Sequence, residues 1–198
     1  LFRRGFTSQS GNEVYFSFLV QPTADAPDGD FSIFMNMFIT DSGETPDSNL
    51  RNHSGGIGLY GTGDNDFGAR IRATSSDSTD DAIQTASLGT TAFLVGRFSK
   101  DGPDSMVNYD RMELWVNPTS QTLGMADAMV NFDAGLSGGI DLFSNRIVGT
   151  ETGQIYRFDE LRIGTTADSV VPIPEPSTTI LLVVVSVVEG SSRHMKAR

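Results

Sequence analysis

Glu13-Val14-Tyr15-Phe16-Ser17-Phe18-Leu19-Val20 is the stretch on which the fold turns. Val14, Phe16, Phe18 and Val20 alternate with Tyr15, Ser17 and Leu19, and period two is the mark of a strand with one face on a core. The pattern recurs along the chain. In Phe31–Thr40, Phe31, Ile33, Met35, Met37 and Ile39 share a face. Gly56–Tyr60 and Phe67–Ala73 are shorter candidates, and Ala92–Ser99 carries Phe93, Val95 and Phe98. Arg111–Asn117 sets Met112, Leu114 and Val116 inward, with Arg111, Glu113 and Trp115 outward. In Gln154–Ile163, Ile155, Leu161 and Ile163 accompany Arg157 and Asp159, while Tyr156 and Phe158 go with Glu160 and Arg162.

Turn chemistry separates these runs: Asp28-Gly29-Asp30, Gly61-Thr62-Gly63-Asp64-Asn65, Asp101-Gly102-Pro103-Asp104 and Leu136-Ser137-Gly138-Gly139. Thr74–Asp81 reads as a polar loop. Apart from the apolar run near the C-terminus, no long window carries a helical stripe. Short strands with frequent turns predict an all-β, antiparallel two-sheet sandwich, and the length favours a jelly roll over a seven-strand module.

The chain has 198 residues, with 14 Lys+Arg against 25 Asp+Glu and a formal charge of −11. That charge argues against nucleic acid, which needs a basic face to release counterions. The absence of Cys excludes thiol catalysis, thiolate zinc sites and disulfides. Only His53 and His194 are present, which disfavours a multi-His metal centre. No signal peptide is legible from Leu1 onward, so the expectation is a fragment or a processed chain.

The end of the chain differs from the rest. Val171-Pro172-Ile173-Pro174-Glu175-Pro176 is a stiff spacer. Ile180, Leu181, Leu182, Val183, Val184, Val185, Val187 and Val188 then form an apolar run broken only by Ser186. Arg193, Lys196 and Arg198 make the terminus basic. The division falls at 1–171 for the body and 172–198 for the tail. Pro-Glu-Pro, apolar segment and basic end, in that order, resemble the PEP-CTERM sorting signal of exported bacterial proteins. The resemblance implies that Pro174, Glu175 and Pro176 are recognised by an exosortase-type processing enzyme. It implies that Ile180–Val188 holds the chain transiently in the inner membrane, with Arg193, Lys196 and Arg198 as the cytoplasmic stop. The final destination would be the cell surface or the extracellular space. The uncharged stretch Ser177–Val188 is short for this role, about 18 Å as a helix against roughly 30 Å of hydrocarbon. The alternative is a last strand of the sandwich.

The body carries a second resemblance. Val14-Tyr15-Phe16-Ser17-Phe18-Leu19-Val20, Phe93-Leu94-Val95-Gly96-Arg97-Phe98, Glu113-Leu114-Trp115-Val116-Asn117-Pro118 and Phe158-Asp159-Glu160-Leu161-Arg162-Ile163-Gly164 follow one another as in bacterial laminin G-like, concanavalin A-like domains. The resemblance spans residues 13–171 and implies a jelly roll, a fold that carries lectins, adhesins and hydrolases alike.

Candidate chemistry is sparse. A jelly-roll glycosidase needs two carboxylates about 5–9 Å apart around the sugar. No Glu-x-Asp-x-x-Glu occurs, and Asp159 and Glu160 point oppositely in a regular strand. There is no Gly-x-Ser-x-Gly, and His53 is the only His of the body. Gly61–Gly68 lacks the Lys and helix of a phosphate loop. No cofactor is expected beyond a structural calcium, for which Asp64 and Asp66 are the weak favourites among the acidic loops. Trp115, the only Trp, is the candidate ligand contact. The sequence thus predicts an exported binding or structural module, not an enzyme. Its expected ligand is an extracellular polysaccharide or a surface protein. The alternatives are a degenerate polysaccharide hydrolase and a soluble structural sandwich.

Overall fold

The computed structural model describes residues 2–23, 30–39, 54–62, 66–73, 78–85, 87, 89–102, 107–148 and 156–172. Eleven strands and one short helix lie among them. In chain order they are β1 (Phe2–Gln9), β2 (Glu13–Pro22), β3 (Asp30–Ile39), β4 (Ser54–Thr62), β5 (Asp66–Arg72), β6 (Ser78–Thr85), β7 (Ala92–Ser99), β8 (Arg111–Val116), β9 (Ala128–Asn131), β10 (Ile140–Val148), β11 (Tyr156–Gly164) and α1 (Ala167–Val170).

The strands form two antiparallel sheets. One has six strands in the order β1-β10-β3-β4-β5-β6, and the other has five in the order β11-β2-β7-β8-β9. The alternation in the sequence becomes the core between them. Val14, Phe16, Phe18 and Val20 of β2 pack with Leu94 and Phe98 of β7 and Met112 and Leu114 of β8. Met35, Met37, Ile57, Leu59, Phe67, Ala69 and Ile71 face them from the six-stranded sheet. Burying each of the phenylalanines contributes roughly 1.5–3 kcal/mol. Gly96 on β7 lets the layers close, because a Cβ there would lie 2.6 Å from the Phe16 ring and 3.1 Å from Ile57. The sheets approach each other where β4, β5 and β6 face β7, β8 and β9.

The structure corrects the sequence reading in several places. β1, β6, β9 and β10 are strands that alternation does not reveal. Ser78–Thr85 is an edge strand paired with β5, although Thr74–Asp81 reads as loop. Its Asp and Thr side chains suit an edge, where polar residues block further pairing. In β10 the register slips between Ile140 and Leu142, so the inward residues Ile140 and Phe143 lie three apart and the period is lost. β11 has a bulge between Asp159 and Arg162, with Glu160 at φ 53°. The extra residue shifts the alternation. Tyr156, Phe158, Leu161 and Ile163 consequently all pack toward the core, and the grouping of Leu161 and Ile163 with Arg157 and Asp159 is overturned.

Candidate functional site

The six-stranded sheet turns one face to the core and the other away from it. On the second face the register aligns a row across four strands. Ser144 of β10 pairs with Asn36 of β3, Asn36 with Gly56 of β4, and Gly56 with Arg70 of β5. In the next row Ser54 of β4 pairs with Arg72 of β5. On the other side of the first row Gly58 faces Gly68. The sequence makes this face by alternation: Phe67, Ala69 and Ile71 enter the core, so Gly68, Arg70 and Arg72 point away from it.

The row is recessed. Asn36 is 4% exposed, Ser54 3%, Arg70 8% and Ser144 0%, although none belongs to the hydrophobic core. The Ser144 hydroxyl has no hydrogen-bond partner. A buried hydroxyl in that state costs free energy that a polar ligand would return. Gly56 is fixed by closeness: a Cβ there would lie 2.6 Å from the Asn36 side-chain oxygen. Glycine within a strand marks a place where another group comes close to the backbone. The face thus carries an amide, two hydroxyls and two guanidiniums, with Asp80 of β6 opposite Arg70 in the register. Planar guanidinium forks match carboxylates in a way that lysine does not.

Of the residues singled out from sequence, Trp115 lies on the outward face of the five-stranded sheet, as its alternation requires. It is 7% exposed, and its indole N–H donates to the Gly124 carbonyl at 3.0 Å. Val95, Val170 and Val171 pack against it, with Leu123 and Ala126 beside them. A cavity of about 190 Å³ adjoins it, lined also by Pro118, Thr122 and Met125. Asp66 stands opposite Tyr60 in the register at the start of β5, and Asp64 lies outside the described residues. Among the described residues no group of three His, Asp or Glu is placed to hold a metal. His53, Pro174, Glu175, Pro176, Ile180–Val188, Arg193, Lys196 and Arg198 lie outside the described residues. Among the described residues no helix is long and apolar enough to cross a membrane.

A second polar cluster occupies the outward face of the five-stranded sheet. Arg97 donates through Nε to Glu113 and lies 3.4 Å from both Glu13 and Asp101. Tyr15 donates its hydroxyl to Glu13 at 2.5 Å, and Arg111 lies 3.7 Å from Asp101. These groups satisfy one another and so tie β2, β7 and β8 together. Burial opposes the charge on Arg97, yet the Glu113 bond and the fields of Glu113 and Asp101 outweigh it and raise its pKa. Burial also works against the Asp101 carboxylate, but the Ser99 hydrogen bond and the nearby Arg97 and Arg111 hold its pKa below the usual value. Tyr15 is pushed up to about 12, by burial first and then by its bond to Glu13. Its folded pKa exceeds the unfolded value near 10. The stabilisation is therefore complete below about pH 10 and is lost as the pH rises toward 12. An ultraviolet titration should show Tyr15 and the buried Tyr156 ionising after the unfolded-type residues, with stability falling over that interval. In Tyr15→Phe the late ionisation should shrink by one tyrosine, leaving that of Tyr156. A wild-type protein whose tyrosines all titrate near 10 would contradict this.

No family model matches the chain, and no curated protein matches it. Solved structures do. The chain is similar to the alginate lyase vAL-1 from Chlorella virus, with TM-score 0.50 and 8% identity over 78% of this chain and 71% of that one. The alginate lyase Aly36B gives TM-score 0.48 and 13% identity over 85% of this chain and 74% of that one. The binding domain of botulinum neurotoxin serotype C1 gives TM-score 0.47 and 6% identity over 81% of this chain. The chain spans about a third of the length of that last structure, 34%. The likeness to vAL-1 shows the fold, an antiparallel two-sheet jelly-roll sandwich.

They also correct one expectation. The body was expected not to be an enzyme, because it lacks the paired carboxylates of a jelly-roll glycosidase. The alginate lyase vAL-1 is built on the same sandwich. A lyase is a different reaction class, so a missing glycosidase pair is no ground for excluding catalysis.

Sequence reasoning passed over Asn36, Ser54, Arg70, Arg72 and Ser144. Part of the signal was present, since Arg70 and Arg72 share a strand face with Gly68. Ser144 carried none, because the register slip in β10 hides which way it points.

Proposed function

We propose that the chain is an extracytoplasmic module that takes an acidic polysaccharide on the outward face of its six-stranded sheet. The recessed polar row carries this reading. The guanidiniums of Arg70 and Arg72 match a uronate carboxylate in charge and shape, and the unmet Ser144 hydroxyl beside Asn36 suits a sugar hydroxyl. The named neighbours on this fold include enzymes that act on alginate, an acidic polysaccharide. A guanidinium that neutralises the carboxylate acidifies the neighbouring C–H, the first requirement of elimination.

The experiment is affinity electrophoresis in gels holding a polyuronate or a neutral β-glucan, with the soluble products scanned for unsaturated sugar ends. Selective retardation by the polyuronate, weakened by salt, is the expected result. Unsaturated ends would add cleavage at the same face. Equal migration in both gels, with no new ends, would overturn the reading.

The tail completes the proposal. Pro174, Glu175 and Pro176 would serve an exosortase-type enzyme, Ile180–Val188 would hold the chain at the inner membrane, and Arg193, Lys196 and Arg198 would stop transfer. Intact mass from the producing cell, with membrane and medium separated, should show a form ending near Pro174–Pro176. A full-length chain found only in the soluble fraction would refute the sorting role.

A further inference from the structure

The edges formed by β1 and β11 enclose a crevice between the two sheets. Its first part is a cavity of about 300 Å³ lined by Phe18, Met35, Phe143, Phe158 and Leu161. Its second part, about 580 Å³, shares Phe143 and Leu161 and runs along Arg4–Thr7 of β1 to Ile163. The shared walls make one continuous slot. The first part, with apolar walls and few polar groups, has the dimensions of a small-molecule site.

One polar atom makes the slot specific. The Asn145 side-chain carbonyl lies in the first part, buried and with no hydrogen-bond partner. An unmet buried acceptor costs roughly 1–3 kcal/mol, which an occupant with an O–H or N–H would recover. The rim narrows the choice. Asp159 and Glu160 line the mouth beside Asn145; Asp159 accepts the Glu160 N–H at 2.8 Å, and among the described residues only Glu160 is met by a cation, Arg162 at 3.3 Å. The negative charge left at that mouth disfavours an anionic head group.

We propose that this crevice binds a neutral amphiphile, its alkyl chain lying between Phe18, Phe143, Phe158 and Leu161 and its hydroxyl or amide donating to Asn145. The site is separate from the polar face of the six-stranded sheet and stands or falls without it.

The test is isothermal titration of the whole chain with decan-1-ol and with decanoate, each below its aggregation limit. Decan-1-ol should bind saturably with one equivalent, and decanoate about tenfold or more weaker. Leu161→Trp, which fills the slot, should abolish binding. Asn145→Leu keeps the apolar volume and removes the acceptor, so it should weaken decan-1-ol roughly five- to tenfold and serves if Leu161→Trp does not fold. Absence of saturable binding would overturn the proposal. So would binding indifferent to both substitutions, or a dimer on sizing that takes up no decan-1-ol because a second copy covers the slot.

Discussion

Replacing Trp115 by alanine should lower the unfolding free energy by about 3–5 kcal/mol. The indole lies under the segment around Gly124 and against Val170 and Val171, so its removal opens a cavity between that cover and Val95. It also strips the Gly124 carbonyl of its donor. In a domain of this size such a loss corresponds to a drop in melting temperature on the order of 10 °C. Trp115→Phe keeps part of the packing and should lose less. Urea unfolding of the three proteins checks this. A change under about 1 kcal/mol together with lost polysaccharide binding would instead make the ring a ligand contact.

Arg72→Gln should weaken polyuronate binding roughly ten- to hundredfold while leaving the melting temperature close to the parent's. A charge-assisted hydrogen bond is worth about 1.5–3 kcal/mol, and that range sets the fold-change. Arg72 is only half-buried, whereas Arg70 sits deeper beside Gly56 and its loss would disturb the fold as well. Salt should weaken the parent more steeply than the variant, because one ionic contact is gone. Titration calorimetry at two salt concentrations reads both effects. Equal affinities would remove Arg72 from the site.

The fold was legible wherever alternation ran unbroken. Val14 to Val20 and Arg111 to Val116 point as the sequence says, because each strand has one apolar face and the register admits no slip. It was illegible where one residue is inserted or the edge is polar. The bulge at Asp159–Arg162 reverses the facing of half a strand, and nothing in the composition of Phe158–Arg162 announces a left-handed Glu160. Ser78–Thr85 looks like loop because its strand character comes from pairing with β5 and not from its own apolar content. Trp115 shows a different limit. Alternation placed it outward, but outward is not exposed, since the covering residues Leu123, Val170 and Val171 come from segments that no local pattern links to β8.

The candidate site was less legible than the fold, for the same reason. Arg70 and Arg72 are on one face in the sequence alone. Their meeting with Asn36 and Ser144 needs the strand order β10-β3-β4-β5, which sets residues far apart in the chain side by side. The acidic loops drew attention to calcium, whereas the recessed face holds guanidiniums and amides.

The most direct measurement is an amide and side-chain NMR titration with a polyuronate oligosaccharide. Shifts concentrated at Asn36, Ser54, Arg70, Arg72 and Ser144, with Trp115 and the Arg97 cluster unmoved, are the predicted result. Shifts confined to the five-stranded sheet, or none at saturating oligosaccharide, would contradict the assignment of the site.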